Sequence, residues 1–398
     1  MSRIEQLIAE LCPDGGEFKE LGEVGNLFIG SFVKKTEQND NYEWPVYKGG
    51  ISPTGYYNNF NSNKNSVVLS ARGANCGFVN YLTVDFWAGN SCYVIKDLSY
   101  DVNSKFLFHY LKCNEINLYG LRQTSGIPAI NSAPLKKFKI PIPPLPIQQE
   151  IVRILDTFTD LDAELQAELE ARKKQYEHYR NQLLNFEGKE VEWKTLGEVI
   201  ISLKTGLNPR KNFNLNTPDA TNYYVTVREL YSFDIIFTDK TDRVNDEALG
   251  LINNRSNLDK GDILFSGTGT IGRTAFVKEK PKNWNIKEGV YVIKPNQSYV
   301  MSKFLIYLLK SDNTIRQIEN KIVGSPIRSI PMGELKKIVI PIPSLDEQKR
   351  IVSLLDSFEE LVSSTGSTTG GLPAEIDARR KQYEYYREKL LTFEPLIS

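Results

Sequence analysis

The sequence contains few of the residues from which metal sites and nucleophilic triads are built. Its 398 residues include only 4 cysteines and 2 histidines. The cysteines are spaced irregularly, without a CxxC pair, at Cys12, Cys76, Cys92 and Cys113. This spacing favours ordinary reduced thiols over zinc ligands. His109 and His178 both fall in segments with helical patterning, so a histidine-dependent triad is not expected. We therefore predict no catalytic residue and no metal site in this chain.

Long hydrophobic runs are also absent. No apolar run approaches the length needed to cross a bilayer, and Glu5 and Glu10 stand where a signal peptide needs an uninterrupted apolar stretch. We therefore expect a cytoplasmic protein. Hydrophobic residues make up 40% and charged residues 25% of the chain, as in folded soluble proteins. A length of 398 residues suits two domains of about 150 residues with connecting elements.

The chain is an internal duplication with an offset near 200 residues. Residues 135–158 match 335–358 at 14 of 24 positions without a gap, and residues 171–186 match 378–393 at 11 of 16 positions. Each copy opens with a related heptapeptide, FKELGEV in the first and WKTLGEV in the second. Between these segments the similarity nearly vanishes. The predicted parts are a variable domain over 1–145, a helical arm over 146–190, a second variable domain over 191–345 and a second arm over 346–398.

Both arms have the apolar spacing of an amphipathic helix. In the first arm, apolar residues recur mostly at steps of three and four, which predicts one helix over 147–186, about 60 Å long. In the second arm, SSTGSTTGG at 363–371 interrupts the stripe, because glycine and threonine disfavour helix, and Pro373 lies where a helix restarts. The stripe residues that we expect to pack between the helices or against a partner are Ile151, Leu155, Phe158, Leu165, Leu169, Tyr176, Tyr179, Leu183, Ile351, Leu355, Phe358, Tyr383, Tyr386 and Leu390.

Such a stripe fits either a coiled coil or burial in a helical bundle. The duplication favours the coiled coil, because two equivalent helices of one chain can bury their stripes on each other about a pseudo-two-fold axis. The predicted fold class is therefore α+β, with two β-rich domains separated by two long antiparallel helices that form a coiled coil.

A proline-rich segment precedes each arm, IPIPPLP in the first copy and IPIPSL in the second. Each proline lacks a backbone donor and favours an extended conformation, so we expect these segments to end a strand and aim the following helix. The alternative is a generic ligand for proline-binding domains of the SH3 type. Duplication at the same joint favours the architectural role.

The variable domains have a β pattern that contains a motif-like spacing. In SVVLSARGANCGFVNY and GDILFSGTGTIGRTAFV, β-branched and apolar residues flank glycine turns, while SKFLFHYL and SKFLIYLL indicate short helices. GTGTIGRT at 267–274 has a GxGxxG spacing and comes within one residue of a P-loop, with Arg273 in place of lysine. A phosphate-binding loop opens onto a helix, whereas TAFV followed by KEKPKN is typical of a strand and a turn. We therefore expect a tight strand-to-strand turn, with Gly77 corresponding to Gly272.

Charge is balanced over the chain, at 49 basic and 49 acidic residues, but it is unevenly distributed. The two arms hold 13 basic and 20 acidic residues, whereas the first and second variable domains have net charges of +1 and +6. This partition fits domains that contact phosphates and arms that contact protein. On charge alone, the second domain is the stronger candidate for DNA binding.

The duplicated arms, with ARKKQYEHYRNQLL and ARRKQYEYYREKLL, resemble the conserved regions of the specificity subunits of type I restriction-modification enzymes. The resemblance spans the whole chain and includes the proline segments, the LGEV openings and AELQAELE at 163–170, which is similar to the family's four-residue spacer repeats. The SSTGSTTGG interruption departs from the family's continuous arm. The resemblance implies that the variable domains are target-recognition domains for a bipartite DNA site. The divergence of residues 25–130 from 200–330 predicts that this site is asymmetric, with two unrelated half-sites.

The same resemblance implies the partners of the chain. They are double-stranded DNA, two modification (methyltransferase) subunits and two restriction (endonuclease and translocase) subunits. S-adenosylmethionine, ATP and Mg are then expected on the partner subunits, with no cofactor in this chain. The chain would confer specificity on a DNA adenine methyltransferase and an ATP-dependent endonuclease without being an enzyme itself. The sequence agrees in having no NPPY-like methyltransferase motif and no intact P-loop.

Candidates for DNA contact come from the divergent domains, where we expect them on loops. Arginine and glutamine can contact guanine and adenine bidentately, while lysine more often binds phosphate. The candidates in the first domain are Lys34, Lys35, Lys48, Arg72, Arg122, Gln123 and Thr124. Those in the second domain are Lys204, Arg210, Lys211, Arg228, Arg273, Lys321 and Arg328.

Two other function classes fit parts of the sequence. A stand-alone regulator that binds double-stranded DNA would explain the basic domains, but it has no need of two long apolar arms. An NTPase or dinucleotide enzyme would rest on GTGTIGRT alone.

Overall fold

The chain folds into two compact units, each built from one β-rich domain and one half of each arm. Unit 1 combines Met1–Glu164 with Ile376–Ser398, and unit 2 comprises Leu165–Glu375. A computed structural model describes residues 2–123, 126–210, 212–231, 233–362 and 371–395.

The helices comprise the long helices of the arms and shorter helices elsewhere in the two units. In chain order they are α1 (Arg3–Leu11), α2 (Leu21–Val24), α3 (Ser104–Cys113), α4 (Glu115–Gly120), α5 (Ser132–Lys136), α6 (Leu145–Leu183), α7 (Leu196–Val199), α8 (Asp246–Ser256), α9 (Ser302–Leu309), α10 (Asp312–Glu319), α11 (Met332–Leu335), α12 (Leu345–Val362) and α13 (Leu372–Leu391). Short 3-10 turns cover Lys35–Glu37 and Val227–Glu229.

The strands are short and fall in two series, one in each unit. Those of unit 1 are β1 (Phe18–Glu20), β2 (Asn26–Ile29), β3 (Trp44–Tyr47), β4 (Tyr56–Tyr57), β5 (Ser66–Ser70), β6 (Val79–Leu82), β7 (Trp87–Ala88), β8 (Cys92–Lys96) and β9 (Lys139–Pro141). Those of unit 2 are β10 (Glu192–Thr195), β11 (Ile200–Thr205), β12 (Asn222–Val225), β13 (Leu230–Tyr231), β14 (Asp234–Ile235), β15 (Arg243–Val244), β16 (Ile263–Ser266), β17 (Thr274–Phe276), β18 (Trp284–Ile286), β19 (Val290–Pro295) and β20 (Val339–Ile342).

The central strand β5 of unit 1 is buried on both faces of its sheet. A four-stranded antiparallel sheet has the order β2-β8-β5-β6, and a three-stranded sheet has the order β4-β3-β7 with β3 parallel to β7. On β5, Val67 and Leu69 face the core that contains Leu107 of α3. Val68, between them, faces the opposite side and packs with Phe86. This double burial explains the uninterrupted apolar run of β5, since neighbouring side chains of a strand point to opposite faces.

Unit 2 repeats this topology with different residues. Its four-stranded sheet has the order β11-β19-β16-β17, its three-stranded sheet has the order β15-β12-β18, and β10 pairs with β20 as β1 pairs with β9. The hairpin β13-β14 and helix α8 have no counterpart among the described residues of unit 1. The duplication therefore extends through the segments in which sequence similarity vanishes.

The proline-rich segments end a strand and begin a helix, as the sequence predicts. Strand β9 ends at Pro141 and helix α6 starts at Leu145, while β20 ends at Ile342 and α12 starts at Leu345. Each segment supplies the paired outer strand of its unit through β1-β9 or β10-β20. The direction of the arm helix is thus set by a strand with fixed register.

A fully buried glutamine fixes each arm helix to the domain of its own unit. The side-chain oxygen of Gln148 accepts a 2.8 Å hydrogen bond from the amide of Asn103, and its Nε2 donates to the carbonyls of Asp101 and Pro143. Gln348 repeats these contacts in unit 2 with the duplicated residues. Because a buried amide group is costly to leave unpaired, this joint specifies one geometry.

The first arm is a single long helix, as the sequence predicts, although it ends at Leu183, three residues before the predicted end at Phe186. Helix α6 has 39 residues, so it extends about 58 Å. The second arm consists of α12 and α13, and Pro373 lies in the first turn of α13, also as predicted. Residues 363–370 of the SSTGSTTGG segment lie outside the described residues.

The two arms pair in antiparallel fashion within each unit. In unit 1 the ring of Phe158 stacks on Tyr386 with 5.7 Å between centroids, and Asp162, one turn later, binds Arg380 at 2.9 Å. In unit 2 the ring of Tyr179 stacks on Phe358 at 5.4 Å. In the duplication Phe158 corresponds to Phe358, and Tyr179 corresponds to Tyr386. The same pair of residues therefore stacks in both units with the two arms exchanged, which is the pseudo-two-fold relation predicted for the coiled coil.

Disulfides, metal-binding clusters and helices able to span a membrane are absent from the described residues. All four cysteines are free thiols. No group of histidine, cysteine, aspartate or glutamate among the described residues is arranged to hold a metal ion. The helices of that part of the chain include none that is both long and apolar enough to span a membrane.

Candidate nucleic-acid interface

The GTGTIGRT segment is a strand-to-strand turn, as the sequence predicts. It connects β16 to the antiparallel β17, and no helix follows it. The amide of Gly272 donates to the carbonyl of Ser266 at 3.0 Å, with a φ of +91°. In unit 1 the amide of Gly77, at φ +90°, donates to Ser70 at 2.9 Å. The motif therefore lacks the helix N-terminus that a phosphate-binding loop requires.

The first glycine of this motif makes room for a tyrosine. A Cβ atom on Gly267 would lie 2.1 Å from the ring of Tyr291 on β19. The hydroxyl of Tyr291 continues past this point and donates a 2.7 Å hydrogen bond to the carbonyl of Ile330. The tyrosine thus ties the turn after β16 to the loop that precedes α11.

Four loops of unit 2 meet through backbone hydrogen bonds at one end of the large sheet. The amide of Gly267 donates to Gly289 at 2.8 Å, and the amide of Gly269 donates to Arg328 at 2.9 Å. Leu207 forms a parallel bridge with Lys287. We define loop cluster 2 as residues 205–210, 267–273, 287–289 and 323–330.

Unit 1 has the same arrangement at the same end of its large sheet. The amide of Ala71 donates to Ser91 at 2.7 Å, and the amide of Gly73 donates to Pro128 at 2.9 Å. Tyr93, the counterpart of Tyr291, donates to the carbonyl of Ile130 at 3.2 Å. We define loop cluster 1 as residues 30–35, 71–77, 88–91, 121–123 and 126–130.

The family of the chain follows from its similarity to known proteins. The model for the type I restriction modification DNA specificity domain matches residues 13–171 and 188–376. The chain belongs to this family.

Individual relatives agree with this assignment. A Haemophilus influenzae protein named as a type I restriction enzyme specificity subunit is 32% identical over 95% of both chains. The specificity subunit of EcoR124I/EcoR124II from Escherichia coli is 35% identical over 65% of this chain and 63% of its own length. The crystal structure of an S subunit from M. genitalium shares the fold, with a TM-score of 0.59 at 19% identity over 94% of this chain and 96% of that one. The chain is thus a specificity subunit, whose role is recognition of DNA sequence.

Most of the predicted contact residues of the specificity subunit lie on the two loop clusters. Lys48 adjoins loop cluster 1, because its Nζ donates to the carbonyl of Val33 at 2.8 Å. The predicted residues on the clusters themselves are Lys34, Lys35, Arg72, Arg122, Gln123, Arg210, Arg273 and Arg328. Thr124 and Lys211 lie outside the described residues. Contact of any of these side chains with DNA stays a prediction.

The expected placement on a loop is wrong for one candidate of the specificity subunit. Lys204 lies within strand β11, where it pairs with Val292 between the buried Leu203 and Thr205. Lys35 and Arg228 lie in short 3-10 turns of the connecting segments. Arg228 nevertheless adjoins loop cluster 2, since Arg273 donates to the neighbouring carbonyl of Val227 at 3.3 Å.

The predicted cations differ in how far the protein already neutralises them. Arg228 binds Asp242 at 2.8 Å, and Lys321, just after α10, binds Glu334 at 3.3 Å. The guanidinium group of Arg122 lies 3.5 Å from the ring centroid of Tyr119. Within the described part of the chain, the side chains of Arg72, Arg210 and Arg328 form no ion pair and are exposed. Lys34 and Lys35 meet the same two conditions, so these five are the predicted cations most available to phosphates or base edges.

One exposed cation of loop cluster 2 escapes prediction from the sequence. Lys287 donates its amide to Val225 at 2.8 Å and bridges Leu207, which places it among the loops that carry Arg210 and Arg328. No local signal marks it, because its neighbours in space are 60 to 80 residues away in the chain.

Proposed function

We propose that this specificity subunit binds an asymmetric, bipartite target in double-stranded DNA, with one half-site on each loop cluster. The observation that carries the proposal is a set of equivalent backbone positions with different side chains. In loop cluster 1, Arg72 and Gln123 both bridge Ala129. In loop cluster 2 the same bridges join Thr268 and Val323 to Ser329.

This difference supports two unrelated half-sites. Arginine and glutamine can form bidentate hydrogen bonds with guanine and adenine, whereas threonine and valine offer one hydroxyl and methyl groups. Identical base-contacting side chains in the two loop clusters would instead favour a palindromic target, since symmetric proteins bind symmetric sites.

The arms are the proposed docking surface for two modification and two restriction subunits. Their excess of acidic over basic residues disfavours contact with DNA. Large apolar side chains remain exposed on them, among them Leu354 and Leu361 on α12 and Tyr385 on α13. S-adenosylmethionine, ATP and Mg would belong to these partners, so the chain itself would be non-catalytic.

The proposal is tested by selecting bound sequences from randomised duplexes with the complex of this chain and its modification subunit. Arg72→Ala and Gln123→Ala should relax base preference in one half-site and leave the other unchanged. Lys64→Ala is the matched control, because Lys64 is an exposed cation of the same unit that lies outside loop cluster 1. Relaxation in both half-sites, or in neither, contradicts the assignment of one half-site to each cluster.

The alternative is a stand-alone regulator that binds double-stranded DNA. It is favoured only by the exposed cations, which both functions share. A regulator would bind its target equally well with and without a modification subunit and would not retain that subunit in a pull-down. The strand-to-strand geometry of GTGTIGRT gives no support to an NTPase.

A further inference from the structure

Each loop cluster presents one highly exposed isoleucine. Ile127 is 75% exposed and Ile327 is 68% exposed. They are separated by 200 positions, the offset of the duplication, and stand in the related segments SGIPAI and SPIRSI. Single exposed apolar residues are ordinary on a protein surface. The ordinary exposure of single apolar residues does not explain why an exposed isoleucine occurs at equivalent positions of two domains that otherwise diverge in sequence.

The loop that carries Ile327 is closed by hydrogen bonds at its base. The amides of Val323 and Ser329 each donate to the carbonyl of the other residue, at 2.8 and 2.9 Å. The carbonyl of Arg328, next to Ile327, accepts from Gly269 at 2.9 Å. The hydroxyl of Tyr291 donates to the carbonyl of Ile330, two residues after Arg328, at 2.7 Å. The isoleucine is thus presented on a braced backbone.

The loop that carries Ile127 is braced at the same points. The amide of Gln123 donates to Ala129 at 2.8 Å, and the carbonyl of Pro128, next to Ile127, accepts from Gly73 at 2.9 Å. Tyr93 holds the carbonyl of Ile130 at 3.2 Å. Bracing reduces the backbone entropy that each loop would lose when its isoleucine contacts a partner.

Each isoleucine has an arginine nearby in its loop cluster. Arg328 follows Ile327 directly, and Arg72 bridges Ala129 two residues after Ile127. Neither guanidinium group has an ion pair within the described ranges of the chain. An apolar tip beside such cations fits nucleic acid, because phosphates bind the arginines while an isoleucine reaches the apolar faces of the bases.

We propose that Ile127 and Ile327 each act as an apolar wedge that partly unstacks one base step, one in each half-site. The inference rests on the proposed DNA-binding function and adds a deformation of the target to it. Isoleucine side chains that enter between base steps kink the duplex, and flexible steps such as TA and CA are the easiest to open.

The test uses the full chain in complex with its modification subunit and duplexes of its target sequence. Single 2-aminopurines are placed at successive positions of both half-sites, outside the methylated adenines, because unstacking raises their fluorescence. We expect a fluorescence increase on binding in each half-site. Ile327→Ala should abolish it in the half-site of loop cluster 2 only, Ile127→Ala in the other only, and Ile327→Leu should retain it.

The control is Ile201→Ala, because Ile201 is 67% exposed on β11 but lies outside loop cluster 2. The wedge is rejected if both loop variants keep the wild-type fluorescence, or if either variant removes the signal from both half-sites. It is also rejected if the variants bind DNA as the wild type does but lose the modification subunit, since the isoleucines would then contact protein. Specific binding without any unstacking rejects the wedge alone, whereas absence of specific binding by the wild type rejects the proposed function as well.

Discussion

The Nε2 atom of His109, on α3, lies 3.0 Å from Oδ1 of Asp156 on α6. In unit 2 the hydroxyl of Tyr307 donates a 2.8 Å hydrogen bond to Oδ1 of Asp356. The duplication therefore preserves an aspartate that anchors the arm helix to its domain and replaces only the donor. A lysine, Lys105 in unit 1, binds the second oxygen of the same aspartate.

This exchange predicts that acid weakens unit 1 through His109. Burial lowers the pKa of His109, although the carboxylate of Asp156 opposes that shift. An unfolded histidine titrates near pH 6.5, so below about 6.5 the unfolded chain binds a proton that the folded chain does not. The free energy of unfolding therefore decreases as the pH is lowered. Urea unfolding between pH 5 and 7 should show this loss in the wild type and a smaller one in His109→Tyr. His178→Tyr, at an exposed site on α6, should behave as the wild type; equal pH profiles for all three would refute the prediction.

The glutamine joint predicts a large effect from a nearly isosteric substitution. Gln348→Leu would leave the amide of Met301 and the carbonyl of Pro343 without their partner in a buried site. We expect a loss of at least about 2 kcal/mol in the free energy of unfolding. Gln149→Leu is the control, because Gln149 is exposed on α6 and should change stability by less than about 0.5 kcal/mol. Similar losses for both variants would show that the joint contributes little.

The close approach of Gly267 to Tyr291 predicts that a side chain at position 267 destabilises the fold by a clash, and that a smaller residue at position 291 relieves the clash. Gly267→Ala would place a methyl group 2.1 Å from the tyrosine ring and should destabilise the chain by about 1–3 kcal/mol. Together with Tyr291→Leu the two losses should be less than additive, which a double-mutant cycle from denaturant unfolding measures. Gly250→Ala, in α8 with open space around its Cβ position, should be neutral or stabilising. Strict additivity would place the cost of Gly267→Ala elsewhere.

The continuous helix α6 predicts that the arm acts as a ruler between half-sites. Deletion of residues 163–166 removes one AELQ unit, about 6 Å of helix, and rotates the remainder of α6 by about 40°. Since the duplex rises about 3.4 Å per base pair, the gap between half-sites should shorten by one or two base pairs while the bases recognised stay the same. Methylation mapping in cells that carry the variant checks both quantities. A change of bases at constant spacing, or an unchanged gap, would exclude the ruler.

The sequence predicts the arms, the strands that precede them and the glycine turns well, because these elements depend on local patterns. Helix α6, the strand before it and the turn at Gly272 follow from apolar periodicity, proline and glycine. The common topology of the two variable domains cannot be predicted from the sequence, because strand order depends on pairing between residues far apart in the chain. Between the two domains, the burial of these residues is preserved but their identity is not. The predicted placement of Lys204 on a loop is wrong for the same reason. Lys287 is not among the predicted residues, because contacts with the distant Val225 and Leu207 bring it to loop cluster 2.

The assignment of one half-site to each loop cluster is tested by mapping methylated adenines in a genome modified by the wild-type chain and its modification subunit. We expect one motif made of two different half-sites separated by a gap of fixed length, and the loss of that motif when this chain is removed. A palindromic motif, a continuous motif without a gap, or methylation that persists without this chain would contradict the assignment.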